Sequence, residues 1–113
     1  MKLFLDKEVK SLNYFIKHSH WGRRNRDKKQ WLKVIDKVIN NYTGIYYNKI
    51  TIISIRKRLL DMDNLIGGAK TLIDSLVDKK LIKDDSPDLV KIDYKQRISK
   101  TKGIGTEVIF YKR

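Results

Sequence analysis

Residues 49–57, Lys-Ile-Thr-Ile-Ile-Ser-Ile-Arg-Lys, place Ile50, Ile52, Ile53 and Ile55 on both sides of one short run. A nearly continuous β-branched stretch of this length reads as a central strand buried on both faces, because a strand with one wet face alternates apolar and polar residues. The rest of the chain is therefore read for neighbouring strands and covering helices. From about 26 to 42 the apolar positions Trp31, Leu32, Val34, Ile35, Val38, Ile39 and Tyr42 follow a helical stripe, and Thr43-Gly44 is a normal stop. A second helix extends to about Val77 or Lys80. It buries Leu65, Ile66, Ala69, Leu72, Ile73, Leu76 and Val77, and Gly67-Gly68 leaves its start open. Residues 2–5 suit a short strand. Residues 89–98 alternate Val90, Ile92 and Tyr94, then Ile98, as in a half-buried strand. Thr106 to Tyr111 suits a last strand, and the glycine-bearing turn 99–105 is expected to join the two as an antiparallel hairpin. The expected class is α+β: a small β-α-β-α-β-β mixed sheet with two helices packed on it, one domain spanning residues 1–113.

Charge narrows the partner. The chain carries a formal net charge of +13 at pH 7, which makes nucleic acid the leading expectation and an anionic membrane surface the weaker one. No run of 18 apolar residues suggests a transmembrane helix, the N-terminus lacks signal-peptide zones, and there is no cysteine. A cytoplasmic location is expected, with no disulfide and no thiolate site. Against this basic background residues 61–88 form an island, with seven Asp against four Lys; residues 1–60 hold fifteen Lys or Arg against four acids. Carboxylates gathered in a polyanion-binding chain make sense if they hold hard divalent cations, which take oxygen ligands and meet phosphate.

The island also carries a pattern. Asp61-Met62-Asp63-Asn64-Leu65, then Lys70 and Asp74 four residues apart, then Leu81-Ile82-Lys83-Asp84-Asp85 resemble the signature of the RusA family of Holliday junction resolvases. Ser11-Leu12-Asn13 is similar to that family's N-terminal element, and the resemblance spans roughly residues 11–96. One departure is the spacer Ile66-Gly67-Gly68-Ala69, which lengthens the gap before the lysine and is similar to that of some phage-borne relatives. The resemblance implies a RusA-like homodimer, an Mg²⁺-dependent endonuclease (Mn²⁺ able to substitute) that nicks branched DNA, four-way junctions above all, at paired sites. It needs no organic cofactor and no membrane. It implies Asp61, Asp63 and Asp85 as catalytic metal ligands, Asp84 as an assisting ligand and Lys70 as the cation that stabilises transition-state charge. The other readings are a flap or branch nuclease that nicks singly, and a non-catalytic basic DNA-binding module of the same fold.

Each motif also has a plainer reading. Asp63 or Asn64 suits a helix N-cap, Lys70–Asp74 an ordinary i,i+4 ion pair, and Asp84-Asp85-Ser-Pro turn chemistry. Asp78 and Asp88 read as surface residues. Asn13, Arg23, Arg24, Arg26, Lys28 and Lys29, with Arg56 and Arg58, are candidate DNA contacts that fix position without reading sequence. Tyr14 and Trp21 suit stacking on unpaired bases, although such aromatics more often serve a core or interface. Tyr14, Phe15, Trp21 and Trp31 are the apolar surface expected to build a dimer. His18 and His20 lack the companions of a zinc site.

Overall fold

A computed structural model describes residues 1–17, 21–39, 46–101 and 103–112, with the side chains of Lys17 and Trp21 left aside. His18, His20 and the expected helix stop at Thr43-Gly44 lie outside the described residues. The elements in chain order are β1 (Lys2–Leu5), α1 (Leu12–Lys17), α2 (Trp21–Val38), β2 (Lys49–Arg56), α3 (Met62–Gly68), α4 (Lys70–Asp78), β3 (Lys91–Ile98) and β4 (Gly105–Tyr111). The strands form one mixed sheet in the order β1-β4-β2-β3. β2 runs parallel to β3 and antiparallel to β4, and β4 runs antiparallel to β1.

The isoleucine-rich strand is central, and its buried residues fall on both faces: Ile50 and Ile52 on one, Thr51 and Ile55 on the other. Register then assigns one face of the whole sheet to the core, since side chains of one face recur every second residue. Ile50 lies between Ile92 and Phe110, Ile52 lies between Tyr94 and Val108, and Leu3 pairs with Val108. These residues pack with Trp31 and Ile35 of α2, Leu65 of α3 and Leu72, Ile73 and Leu76 of α4. Trp31 and Phe15 are buried, at 0% and 4% exposure. They offer no dimer surface, which corrects the expectation for those two residues; Tyr14, at 37%, remains accessible.

Three further expectations are revised. The last two strands are not a hairpin, because β2 lies between them in the sheet. Strand periodicity reports which face is buried, not which strand is the neighbour. Among the described residues there are four helical segments instead of two, and α2 begins earlier than expected, at Trp21. The helix after the acidic pair divides at Ala69, although the Ala69 N–H still donates to Leu65 O and the Ile73 N–H to Ala69 O. Both glycines before it are packing positions. A Cβ on Gly68 would sit 1.6 Å from the Lys10 carbonyl oxygen, and one on Gly67 would meet the Leu12 side chain at 2.8 Å. They let the chain at residues 10–12 lie directly on α3.

A buried polar cluster ties three of the elements together. Asp27 of α2 is 4% exposed. Its Oδ2 accepts from Trp31 Nε1 at 3.2 Å and from the Thr71 hydroxyl of α4. Its Oδ1 faces the Lys7 ammonium at 2.6 Å, just beyond β1. This is a buried charge with a charged partner, the condition under which burial is tolerated. Among the described residues no helix is long and apolar enough to cross a membrane.

Candidate functional site

β2 delivers the chain to the acidic motif. Asp61 takes the N-cap position of α3 with extended backbone (φ −57°, ψ 144°), and its side chain makes no capping hydrogen bond. The carboxylate is thus not spent on the helix end. Asp63 stands in the first turn of α3, so the two acids straddle a loop-to-helix junction and do not share one extended run. Both are exposed. Gln96 of β3 fixes the approach to them: Leu60 N–H donates to Gln96 Oε1 at 2.8 Å, and Gln96 Nε2 donates to the Leu60 carbonyl at 2.8 Å. Both backbone groups of the residue before Asp61 are held by one amide. Sequence reading missed Gln96, because nothing local marks a glutamine whose partner lies 36 residues away.

The other acid arrives by a different route. α4 closes with the Lys80 N–H on Val77 O and the Leu81 N–H on Leu76 O. Lys80 holds the left-handed conformation (φ 60°) of this Schellman ending. Leu81 and Ile82 then bury themselves, and Asp84-Asp85 turns back along the sheet. Asp84 stays exposed and its Oδ1 accepts from the Asp85 N–H at 2.8 Å. Asp85 Oδ2 meets Lys70 Nζ at 2.5 Å, and the same ammonium reaches Asp74 Oδ1 at 3.1 Å. Lys70 therefore makes the expected i,i+4 pair and, besides it, a contact 15 residues along the chain. The hydrogen bonds that Lys70 donates to Asp85 and Asp74 raise its pKa above the usual value. The Lys70 hydrogen bond, then its charge, lowers that of Asp85.

Lys70 and Asp85 line an open cleft of about 460 Å³, with Leu12, Arg24, Ile66, Gly67, Ile73, Ile92 and Tyr94. Two sequence elements far apart thus share one wall. The contact is anchored where the Asn13 N–H donates to Asn64 Oδ1 at 3.2 Å. Ser11-Leu12-Asn13 and the Asp-x-Asp-Asn motif are adjacent in space. Gly67 leaves room for the Leu12 side chain.

The basic candidates separate. The Arg24 guanidinium lies 4.9 Å from the Phe15 ring centroid and lines the cleft. Arg23 covers the Tyr14 ring at 4.6 Å, and Lys28 pairs with Asp78 at 2.8 Å. Arg26, Lys29 and Arg58 are exposed. Arg56 is a correction. It is 8% exposed, and its guanidinium donates to the Val9 carbonyl at 2.6 Å, to Ser54 Oγ at 3.2 Å and to the Arg58 carbonyl at 3.1 Å, with Glu8 at 3.3 Å. A guanidinium with its donors committed internally braces the loop after β1 and has little left for phosphate.

Among the described residues no three Asp, Glu or His side chains form a group that could hold a metal. The donor chemistry still suits Mg²⁺, which takes one or two carboxylates and fills its remaining positions with water and phosphate oxygens. Asp61 and Asp63 have side chains without a partner among the described residues, and Asp85 is countered by Lys70. Compared with known proteins, the chain matches no family model and no curated protein.

Proposed function

We propose that this chain is an Mg²⁺-dependent, structure-selective endodeoxyribonuclease of the RusA type, acting as a homodimer that resolves four-way DNA junctions by paired nicks. The observation that carries this reading is the Lys70–Asp85 contact inside a cleft that also takes Leu12, Gly67 and Arg24. A +13 chain has no use for a carboxylate in its cleft if the cleft only binds phosphate.

Asp61 and Asp63, at the start of α3, would hold the cation with water and phosphate oxygens completing its shell. Asp85, which among the described residues does not gather with them into one three-acid group, would act beside it through Lys70. When bound, Mg²⁺ would polarise a phosphate oxygen and acidify a water. The protein's own groups position the substrate. Lys70 uses two contacts on Asp74 and Asp85, and an ammonium has three N–H donors, so one is left for a phosphate oxygen. Held by two carboxylates, that cation is aimed before substrate arrives, which is how preorganised charge lowers a barrier. Arg24, braced on Phe15, offers a second fixed cation. Asp84 assists by holding the Asp85 backbone. A two-fold dimer would present two such clefts to a substrate that is itself nearly two-fold.

The test is incubation with labelled four-way junction, Y-fork and linear duplex, with and without Mg²⁺ or Mn²⁺, beside sedimentation equilibrium. The expected results are cation-dependent symmetric nicks in the junction and twice the 13.4 kDa chain mass. Junction binding without cleavage would leave a non-catalytic DNA-binding module. A monomer that nicks forks once would leave a single-nick branch nuclease.

A further inference from the structure

The cleft does not end at Asp85. A second hollow of about 590 Å³ is lined by Asp85, Pro87, Val90, Lys91, Ile92 and Tyr94. Asp85, Ile92 and Tyr94 belong to both hollows, so the two form one groove along the face of β3. Cations stand on its wall: Arg24 and Lys70 both line the first hollow. Lys91, next to Ile92 on β3, projects from the opposite face of the strand. The groove floor is apolar: Ile66 and Ile73 from the helices, Ile92 and Tyr94 from the strand. Tyr94 is half-buried in that floor, opposite Ile52 in the register, and burial pushes its phenol pKa up.

An intact duplex backbone asks for cations at phosphate spacing and gives an apolar floor nothing to cover. A strand with an unpaired base offers both kinds of surface, phosphates for the cations and a π-face for the floor. Because Tyr94 lines one cleft with the cations Arg24 and Lys70, we infer that this groove takes a DNA strand at the branch point, with an unpaired base laid on Tyr94. Tyr94 is then a substrate-binding residue that favours open branches over continuous duplex. This rests on the DNA-cleaving reading of the same cleft.

The experiment places 2-aminopurine at the branch nucleotide of a Y-fork and of a four-way junction, and at the matching position of a linear duplex. Binding is read with Ca²⁺ or EDTA, so that no cleavage intervenes. Wild type and Tyr94→Phe should quench the branch probe and leave the duplex probe unchanged. Tyr94→Leu should lose the quench and weaken fork binding about tenfold, the scale of one base stacked on an aromatic ring, with duplex affinity unchanged. Arg24→Gln should weaken fork binding while keeping the quench. A wild-type photocross-link from 5-iododeoxyuridine at the branch should land on Tyr94, which settles the matter if Tyr94→Leu does not fold. An adduct on Tyr14 or Tyr111 overturns the inference, as does Tyr94→Leu weakening fork and duplex alike. Either result alongside Mg²⁺-dependent cleavage leaves the nuclease reading standing. No binding to any of the three DNAs overturns both.

Discussion

Gln96 on β3 closes a two-bond ring with the backbone of Leu60, at 2.8 Å in each direction, and so fixes the chain one residue before Asp61. Gln96→Leu leaves a part-buried N–H and C=O without partners. The expected cost is about 1–3 kcal/mol, read from urea unfolding. Cleavage should fall further than affinity for the junction, because the acids lose their bearing while the cationic surface does not change. Unaltered turnover in a folded Gln96→Leu protein would reduce the ring to a stability feature.

Asp61→Asn, Asp63→Asn and Asp85→Asn should each abolish Mg²⁺-dependent cleavage and leave junction binding equal or tighter. Removing a negative charge near phosphates cannot weaken the Coulomb attraction. Gel-shift affinities and single-turnover rates on the same junction check both halves. Wild-type rates in all three variants would remove the acids from the chemistry.

Lys70→Ala should lower turnover more than affinity, as for a group that acts mainly in the transition state. It should also move Asp85. With Lys70 present the Asp85 carboxyl titrates below the ordinary aspartate range, so whatever stability the pair lends is present above that range and is lost as pH falls through the lowered pKa. At the other end Lys70, its pKa raised, keeps the pair as pH rises until its own proton leaves. The pair is 50% and 38% exposed, so its stabilisation is small. A ¹³C titration of the Asp85 carboxyl in wild type and Lys70→Ala reads the effect directly. The variant should titrate higher.

The two helix-spacer glycines should differ. Gly68→Ala drives a methyl into the Lys10 carbonyl, a backbone atom that cannot turn aside. It should cost about 3 kcal/mol or more. Gly67→Ala meets only the end of a leucine and should cost less. Lys80→Gly, which relieves a left-handed residue at the α4 ending, should stabilise by about 1 kcal/mol. Thermal and urea melts of the three variants rank them.

Much was legible in the sequence because it depends on nearest neighbours. The isoleucine run set a central strand, the Trp31–Ile39 stripe set a helix, and the spacing of Lys70 and Asp74 set their ion pair. The strand order was not legible, since the pattern of β4 is satisfied equally by β3 or β2 as neighbour, and the fold chose β2. Nor was the fate of single charges. Arg56 and Arg58 read alike, yet one is sealed against Val9 and Glu8 and the other is exposed. The acids and the lysine could be named from their order along the chain. That Lys70 reaches Asp85, that Asn13 lies against Asn64, and that Gln96 holds the Leu60 backbone were decided only by the tertiary structure. Those contacts join residues far apart in the chain, and only the packing of helices on the sheet brings them within hydrogen-bond reach.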